Sequence, residues 1–363
     1  MNLDTLTEIF IGNAPLCERS LTLVLDDCRL RVRSNAVELL DRLARYFAHA
    51  VGPDDGADIE VIAIEREPLE LDMAFNDWQR EPGKTTRKDS FFDLPGDPSP
   101  ARVVRKVRTG MVFLQSATRR IAAGPCLHND NQVINFINAQ YMNWLQQREW
   151  LICHAAGVVH NGRALAVAGL SGGGKSTLML NILDDPQADF LSNDRLFVRL
   201  HNGVVEAAGI PKLPRINPGT IVHNSTLHAL IPGERRKQLL EMPQKALWEL
   251  EEKYDVMIDQ LYGPGRIEQR APLAAFLVLN WQRGGSQPLQ LRPVDLSVRR
   301  DLLGAIMKSP GPFYQYADGD FYQGGSSPDE QAYLRILADT PVYEASGCVD
   351  FDTLAQRCLD ELL

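Results

Sequence analysis

The sequence has no closely spaced cysteines, no long apolar run and no excess of positive charge, and each absence removes a class of protein. Its six cysteines, Cys17, Cys28, Cys126, Cys153, Cys348 and Cys358, form no C-x-x-C pair, which argues against both a zinc site and a disulfide framework. They read as reduced packing residues. No stretch approaches the ~18 apolar residues of a membrane span. The first residues carry Asp4 and Glu8 where a secretory signal would carry positive charge and then an apolar core. The expected location is therefore the cytoplasm, with no membrane partner, and the sequon Asn224-Ser225-Thr226 is a coincidence of composition. With 47 acidic and 38 basic residues the net charge is -9, so nucleic acid is not an expected partner. Tracts of low complexity and repeats of fixed period are also missing.

What is present is a chain built to fold. It has 363 residues, 44% of them hydrophobic and 23% charged, and that length favours two to three domains at about 150 residues each. Strand-like segments occur at 21–25, 30–32 and 59–64, with helical spacing over 35–47 between them. Turn formers and charges crowd residues 81–100, which reads as a mobile loop. Further strands follow at 103–108, 111–115 and 119–123. The expectation is an α+β N-terminal domain over 1–128. A helix over about 131–148, with an apolar stripe through Val133, Phe136, Ile137, Tyr141, Trp144 and Leu145, then opens the second domain, 129–363.

The second half contains the chemistry. Gly169-Leu170-Ser171-Gly172-Gly173-Gly174-Lys175-Ser176 matches G-x-x-x-x-G-K-[ST], the Walker A pattern. An apolar strand, 164–168, precedes it, and a helix-forming run from Thr177 to Leu183 follows. Glycines allow backbone N–H groups to turn inward around a phosphate, and the helix N-terminus adds positive potential there. Lys175 would reach the β- and γ-phosphates, and the Ser176 hydroxyl would bind Mg²⁺. Downstream, Asp189 to Asp194 reads as a strand ending in polar residues, with Asp194 as the second Mg²⁺ anchor. Asn-Gly turns at Asn161-Gly162 and Asn202-Gly203 mark hairpins joining 152–159 to 163–167 and 196–200 to 204–207. Residues 209–219 read as a proline-studded loop, too polar for a core, whose Lys212 and Arg215 would neutralise charge on a transferring phosphoryl group. An apolar run, 273–281, reads as a buried strand, with Asn280, Gln282 and Arg283 directed to the nucleotide. Helices at 297–308, 329–337 and 352–362 and a strand at 342–345 complete the second domain.

His154-Ala155-Ala156-Gly157-Val158, the hairpin after it, Gly169 to Thr177, and Leu191-Ser192-Asn193-Asp194 together resemble the kinase domain of the HPr kinase/phosphorylase family. Within that family they resemble the group called HPr kinase-related kinase B. The motifs cover about 131–217. The resemblance implies an α/β P-loop kinase domain with a mixed sheet, related to phosphoenolpyruvate carboxykinase. It implies ATP and Mg²⁺ as cofactors, phosphoryl transfer to a serine of a partner protein, and a symmetric homo-oligomer. It places Gly169, Ser171, Gly172, Gly173, Gly174, Lys175, Ser176 and Thr177 around the phosphates, and His154 close to the γ-phosphate. Where the family commonly has two aspartates, of which the first accepts the serine proton, this chain has Asn193 and then Asp194. Asn193 is not a base, so His154, Asp194, Asp255 and Asp259 are the candidates for that role. No Glu-x-Arg-Gly stretch associated with phosphorolysis occurs. Two further readings keep the same loop: a kinase for a small polyol-type acceptor, and a nucleotide-dependent switch without transfer. A GTPase is disfavoured, because no N-K-x-D motif follows the loop.

Overall fold

A computed structural model describes residues 2–79, 89–96, 100–170, 172–281, 285–325 and 327–363. The chain forms two compact units, one of residues 1–149 with 309–327 and the other of 150–308 with 328–363. Both are mixed α/β. Among the described residues no helix is long and apolar enough to cross a membrane.

The first unit is built on an eight-stranded sheet of β1 (Leu21–Leu25), β2 (Cys28–Ser34), β3 (Ile59–Glu65), β4 (Asn76–Asp77), β5 (Asp89–Leu94), β6 (Ala101–Lys106), β7 (Val112–Ser116) and β8 (Arg120–Gly124). The order is β1-β2-β3-β8-β7-β6-β5-β4, with β2, β3 and β8 parallel and the other pairs antiparallel. Helices α1 (Leu3–Ile11), α2 (Val37–Tyr46) and α3 (Asp130–Gln146) accompany it. Strand β2 buries every second residue, as a half-covered strand does. Strand β5 occupies part of the stretch expected to be loop, with Ser90 and Phe91 buried on its two faces; residues 81–88 and 97–99 of that stretch lie outside the described residues.

Two segments expected in the second domain belong to this unit. The apolar stripe of α3 is buried here except at Trp144, which is half-buried, and Phe136 packs against Phe113 of β7 at 4.9 Å and Phe313 at 5.1 Å between ring centres. Residues 309–327 are held by the same three rings and by Arg102, whose fully buried guanidinium donates to the carbonyls of Pro312 and Tyr322. Aromatic burial, invisible to local pattern, therefore moves the boundary away from 128.

The second unit has a nine-stranded mixed sheet. Its strands are β9 (Leu151–Cys153), β10 (Ala155–His160), β11 (Arg163–Gly169), β12 (Ala188–Ser192), β13 (Leu196–His201) and β14 (Val204–Ala208). A two-stranded pair, β15 (Arg215–Ile216) and β16 (Tyr254–Asp255), stands apart, and β17 (Arg270–Leu279), β18 (Gln290–Pro293) and β19 (Val342–Ser346) complete the main sheet. Its order is β12-β10-β11-β17-β14-β13-β9, with β19 on β17 and β18 on β19. Both Asn-Gly turns are present, with φ of 51° and 71° at Asn161 and Gly162 and of 50° and 77° at Asn202 and Gly203. These left-handed values match the right-handed twist of the strands they join.

One edge of this sheet collects the ends that matter. Strands β11, β17 and β19 run parallel, so Gly169, Leu279 and Ala345 finish side by side. Strand β10 runs against β11, with Ala155 opposite Ala168, so the residue before it, His154, begins at the same edge. Strand β12, antiparallel to β10, brings Asn193 and Asp194 there as well. Carboxyl ends of parallel strands are where α/β sheets present ligand-binding groups.

Residues 209–219 do not form the polar loop expected. Ile210, Leu213 and Ile216 are 4%, 3% and 3% exposed, and Arg215 and Ile216 form β15. Apolar residues spaced by three anchor the segment despite its prolines. In the tail, the helix expected over 297–308 is reduced to short turns at Arg300–Leu302 and Leu303–Ile306.

Candidate active site

The loop 169–174 links β11 to α4 (Lys175–Ile182), as the sequence pattern requires. Gly172 and Gly174 have φ of 77° and 91°, a region that residues with a side chain rarely adopt. A Cβ on Gly174 would also lie 2.6 Å from the Phe351 ring, and one on Gly173 would lie 2.9 Å from the Leu170 carbonyl oxygen. The loop therefore accepts only glycine where its backbone turns most tightly. Ser171, expected to contact phosphate, lies outside the described residues.

Lys175 opens α4 with its side chain folded back along the loop. Its Nζ donates to the Gly169 carbonyl at 2.8 Å, and the residue is only 8% exposed. Burial lowers its ammonium from the ordinary lysine range to about 8; Asp194 opposes the shift, while Arg195 and Lys308 add to it. The next residue, Ser176, sits beside it in the first turn. Thr177, in contrast, exchanges a 2.8 Å hydrogen bond with the Thr220 hydroxyl, which ties α4 to the following segment.

Asp194 is the acidic centre of the group. His154 Nε2 lies 3.2 Å from its Oδ1, and Arg195 pairs with its Oδ2. Burial by itself would raise this carboxyl, but the His154 hydrogen bond, Arg195 and Lys212 outweigh it and hold the group far below the usual carboxylate range. Asp194 is thus a permanent anion and a weak base. The Asn193 Oδ1 beside it is buried with no hydrogen-bond partner, a cost that a ligand donor would relieve.

His154 occupies a break between β9 and β10, which pair with different strands, β13 and β11. Its N–H donates to the Ile306 carbonyl at 2.7 Å, and Cys153 bridges Met307. This strap holds Lys308 next to the site. The Tyr333 hydroxyl fixes it from behind, donating to the Ile152 carbonyl at 2.5 Å and accepting from the Lys308 N–H at 3.2 Å.

The expected residues are therefore gathered in part. Lys175, His154 and Asp194 are grouped, with Asn193 adjoining Asp194 and Lys212 close enough to act on the Asp194 charge. Arg215 is instead engaged by Asp255 at 2.8 Å across β15 and β16, which also occupies that aspartate. Asp259 Oδ1 is buried without a partner. Asn280 donates to Glu344 at 2.6 Å, because the end of β17 is bonded to β19. Gln282 and Arg283 lie outside the described residues. Arg195, Lys308, Trp281 and Phe351 were not singled out by sequence. For Arg195 the adjoining Asp194 was a signal; for the other three there was none short of the strand order.

The donor set suits a hard divalent cation in kind: a serine hydroxyl at the helix start and a carboxylate that remains ionised. Among the described residues no cluster of three or more His, Cys, Asp or Glu is placed to hold a metal alone, so Mg²⁺ here would share its shell with phosphate oxygens and water.

A pH effect follows from the buried ammonium. Near pH 8 about half of Lys175 is neutral, and phosphate oxygens would draw a proton back onto it. Nucleotide binding at pH 8 should therefore take up about half a proton, and at pH 6.5 almost none. Affinity should fall as pH rises through 8. Calorimetry in two buffers of different ionisation enthalpy checks this, and a buffer-independent heat at pH 8 would contradict it.

No protein-family model and no curated protein matches the sequence. Among solved structures, the chain is similar to the Hpr(Ser) kinase/phosphatase from Coxiella burnetii, with 10% identity, a TM-score of 0.29, and coverage of 58% of this chain and 93% of that one.

Proposed function

We propose that the protein is an ATP-dependent kinase of the HPr kinase-like P-loop type, which transfers the γ-phosphoryl group to a hydroxyl, with Ser or Thr of a partner protein or peptide as the acceptor. The observation that supports this best is charge. Arg195 and Lys308 act on Lys175, and Arg195 and Lys212 act on Asp194, at one edge of the sheet in a chain of net charge -9. Such a gathering of cations at a glycine-rich helix N-terminus suits a polyphosphate.

Lys175 would exchange its bond to the Gly169 carbonyl for the β- and γ-phosphate oxygens. Ser176 and Asp194 would hold Mg²⁺, which supplies charge neutralisation across the phosphates. Lys308 and Lys212 would face the transferred group. The proton of the attacking hydroxyl needs an acceptor, and the residues differ in fitness. Asn193 has no basic atom, Asp194 is held ionised too strongly, and Asp255 is paired with Arg215. Of the two that remain, Asp259 lies on the short helix Ile258–Leu261, whereas His154 contacts Asp194 and is the base of this reading. In the neutral ring, an Nε2–H donated to Asp194 leaves the Nδ1 lone pair free to take the proton.

The test is incubation with γ-labelled ATP and Mg²⁺ against Ser/Thr peptides and, separately, polyols. Labelled peptide supports the reading, and labelled polyol moves it to the small-molecule class. Nucleotide binding without labelled product favours the switch. His154→Asn should lower kcat by about 100-fold and leave the KM for ATP within a few-fold, since a general base acts on the chemical step. An unchanged kcat removes His154 from this role.

A further inference from the structure

The phosphate loop is held from outside by two aromatic residues that come from distant parts of the chain. Trp281 Nε1 donates to the Gly173 carbonyl at 2.9 Å. Its ring meets Phe351 edge-on, at 4.9 Å between centres and 88° between planes. Phe351 in turn lies where a side chain at Gly174 would sit. The sheet explains how they meet. Parallel pairing of β11 with β17, in register from Leu165 and Ala275 to Gly169 and Leu279, sends Trp281 out of the same edge as the loop. Parallel pairing of β17 with β19 ends at Ala345, and the chain returns as the helix Phe351–Arg357, whose first residue is Phe351.

We propose that Trp281 and Phe351 are positioning residues for the phosphate loop, a role that rests on the nucleotide reading above. A peptide plane has its C=O and the following N–H on opposite sides. Fixing the Gly173 carbonyl towards the indole therefore turns the Gly174 N–H the other way, towards the cradle. Phe351 fills the space behind Gly174, so the left-handed glycine is supported on the side away from ligand. Preorganised amides bind phosphate without an ordering cost at the moment of binding, so the clamp acts on affinity rather than on the chemical step.

Two readouts test this. Trp281→Phe keeps an aromatic ring against Phe351 and deletes the hydrogen bond. It should raise the KM for MgATP about 3- to 10-fold, as expected for one neutral hydrogen bond, with kcat within about 2-fold. Without nucleotide, amide hydrogen exchange in the peptide spanning 169–178 should quicken while peptides of the sheet interior keep their protection. Phe351→Leu should do the same through lost packing and serves where Trp281→Phe does not fold. Both effects together support the clamp; wild-type behaviour in either overturns it. Should the wild type bind no nucleotide, the kinase reading fails, and the exchange measurement alone then decides whether the two aromatics fix the loop.

Discussion

Lys175→Met is expected to lower kcat/KM for ATP-dependent transfer by at least about 100-fold without lowering the thermal midpoint. The two halves of this result have one cause. An ammonium that is 8% exposed and lowered to about 8 is destabilised in the ligand-free protein. The shift from the ordinary 10.5 corresponds to about 3 kcal/mol of folding stability withheld at neutral pH. Methionine has a similar unbranched shape and carries no charge, so this cost disappears. Against it stands the Gly169 carbonyl, which loses its donor at a cost of about 1–3 kcal/mol. The balance is near zero or favourable. The pH dependence gives a second check. Between pH 8 and 10.5 the unfolded wild type binds more protons at this group than the folded form, so its stability should rise with pH there. The variant should lack that rise. Thermal scans and calorimetry on both proteins measure these effects, and a fall of several degrees in the midpoint of Lys175→Met at pH 7 would refute the electrostatic argument.

The surroundings of Lys175 also show which parts of the candidate site sequence could reveal. The strand–glycine-loop–helix geometry was legible because its constraints are local: glycines at Gly172 and Gly174 with left-handed backbone, a lysine at the helix start, and a strand before it. The two Asn-Gly hairpins were legible for the same reason. Asp194 could be placed because a strand that turns polar at its end has a direction. Lys308, Trp281 and Phe351 could not. Each reaches the site only because β11, β17 and β19 are parallel neighbours or because 306–308 is strapped to His154, and such pairings join residues 66 or more positions apart.

The same limit produced the misread segments. Residues 209–219 contain five prolines or glycines in close succession, a composition typical of solvated loops, yet Ile210, Leu213 and Ile216 share a spacing of three that buries one side. Residues 309–327 carried no signal of their destination. Their aromatic residues, Phe313, Tyr314, Tyr316, Phe321 and Tyr322, are as suited to one core as to another until a partner is known. That partner is an arginine in a strand, a residue type that pattern reading assigns to solvent.

Arg102→Met should accordingly be the most destabilising single change in the first unit, at about 3–5 kcal/mol. The guanidinium is fully buried. Its Nε and Nη2 fork onto Asp93 at 2.5 and 2.8 Å, and Nη1 donates to the carbonyls of Pro312 and Tyr322 at 2.9 and 2.8 Å. The rings of Phe91 and Phe321 lie 4.5 and 4.6 Å from its centre. Methionine fills the space but takes four hydrogen bonds away from Asp93, which keeps the Gln323 amide at 2.9 Å, and from two carbonyls, and that loss beside a remaining negative charge exceeds what apolar packing returns. Arg102→Lys should recover little, because one ammonium on a flexible stem cannot serve a planar carboxylate and two carbonyls together. Adding Asp93→Asn to Arg102→Met should restore about 1 kcal/mol or more, since the stranded negative charge is then gone. Urea midpoints for the three variants measure the order. Arg102→Lys matching the wild type would mean that charge, rather than the forked geometry, holds residues 309–327 on the sheet.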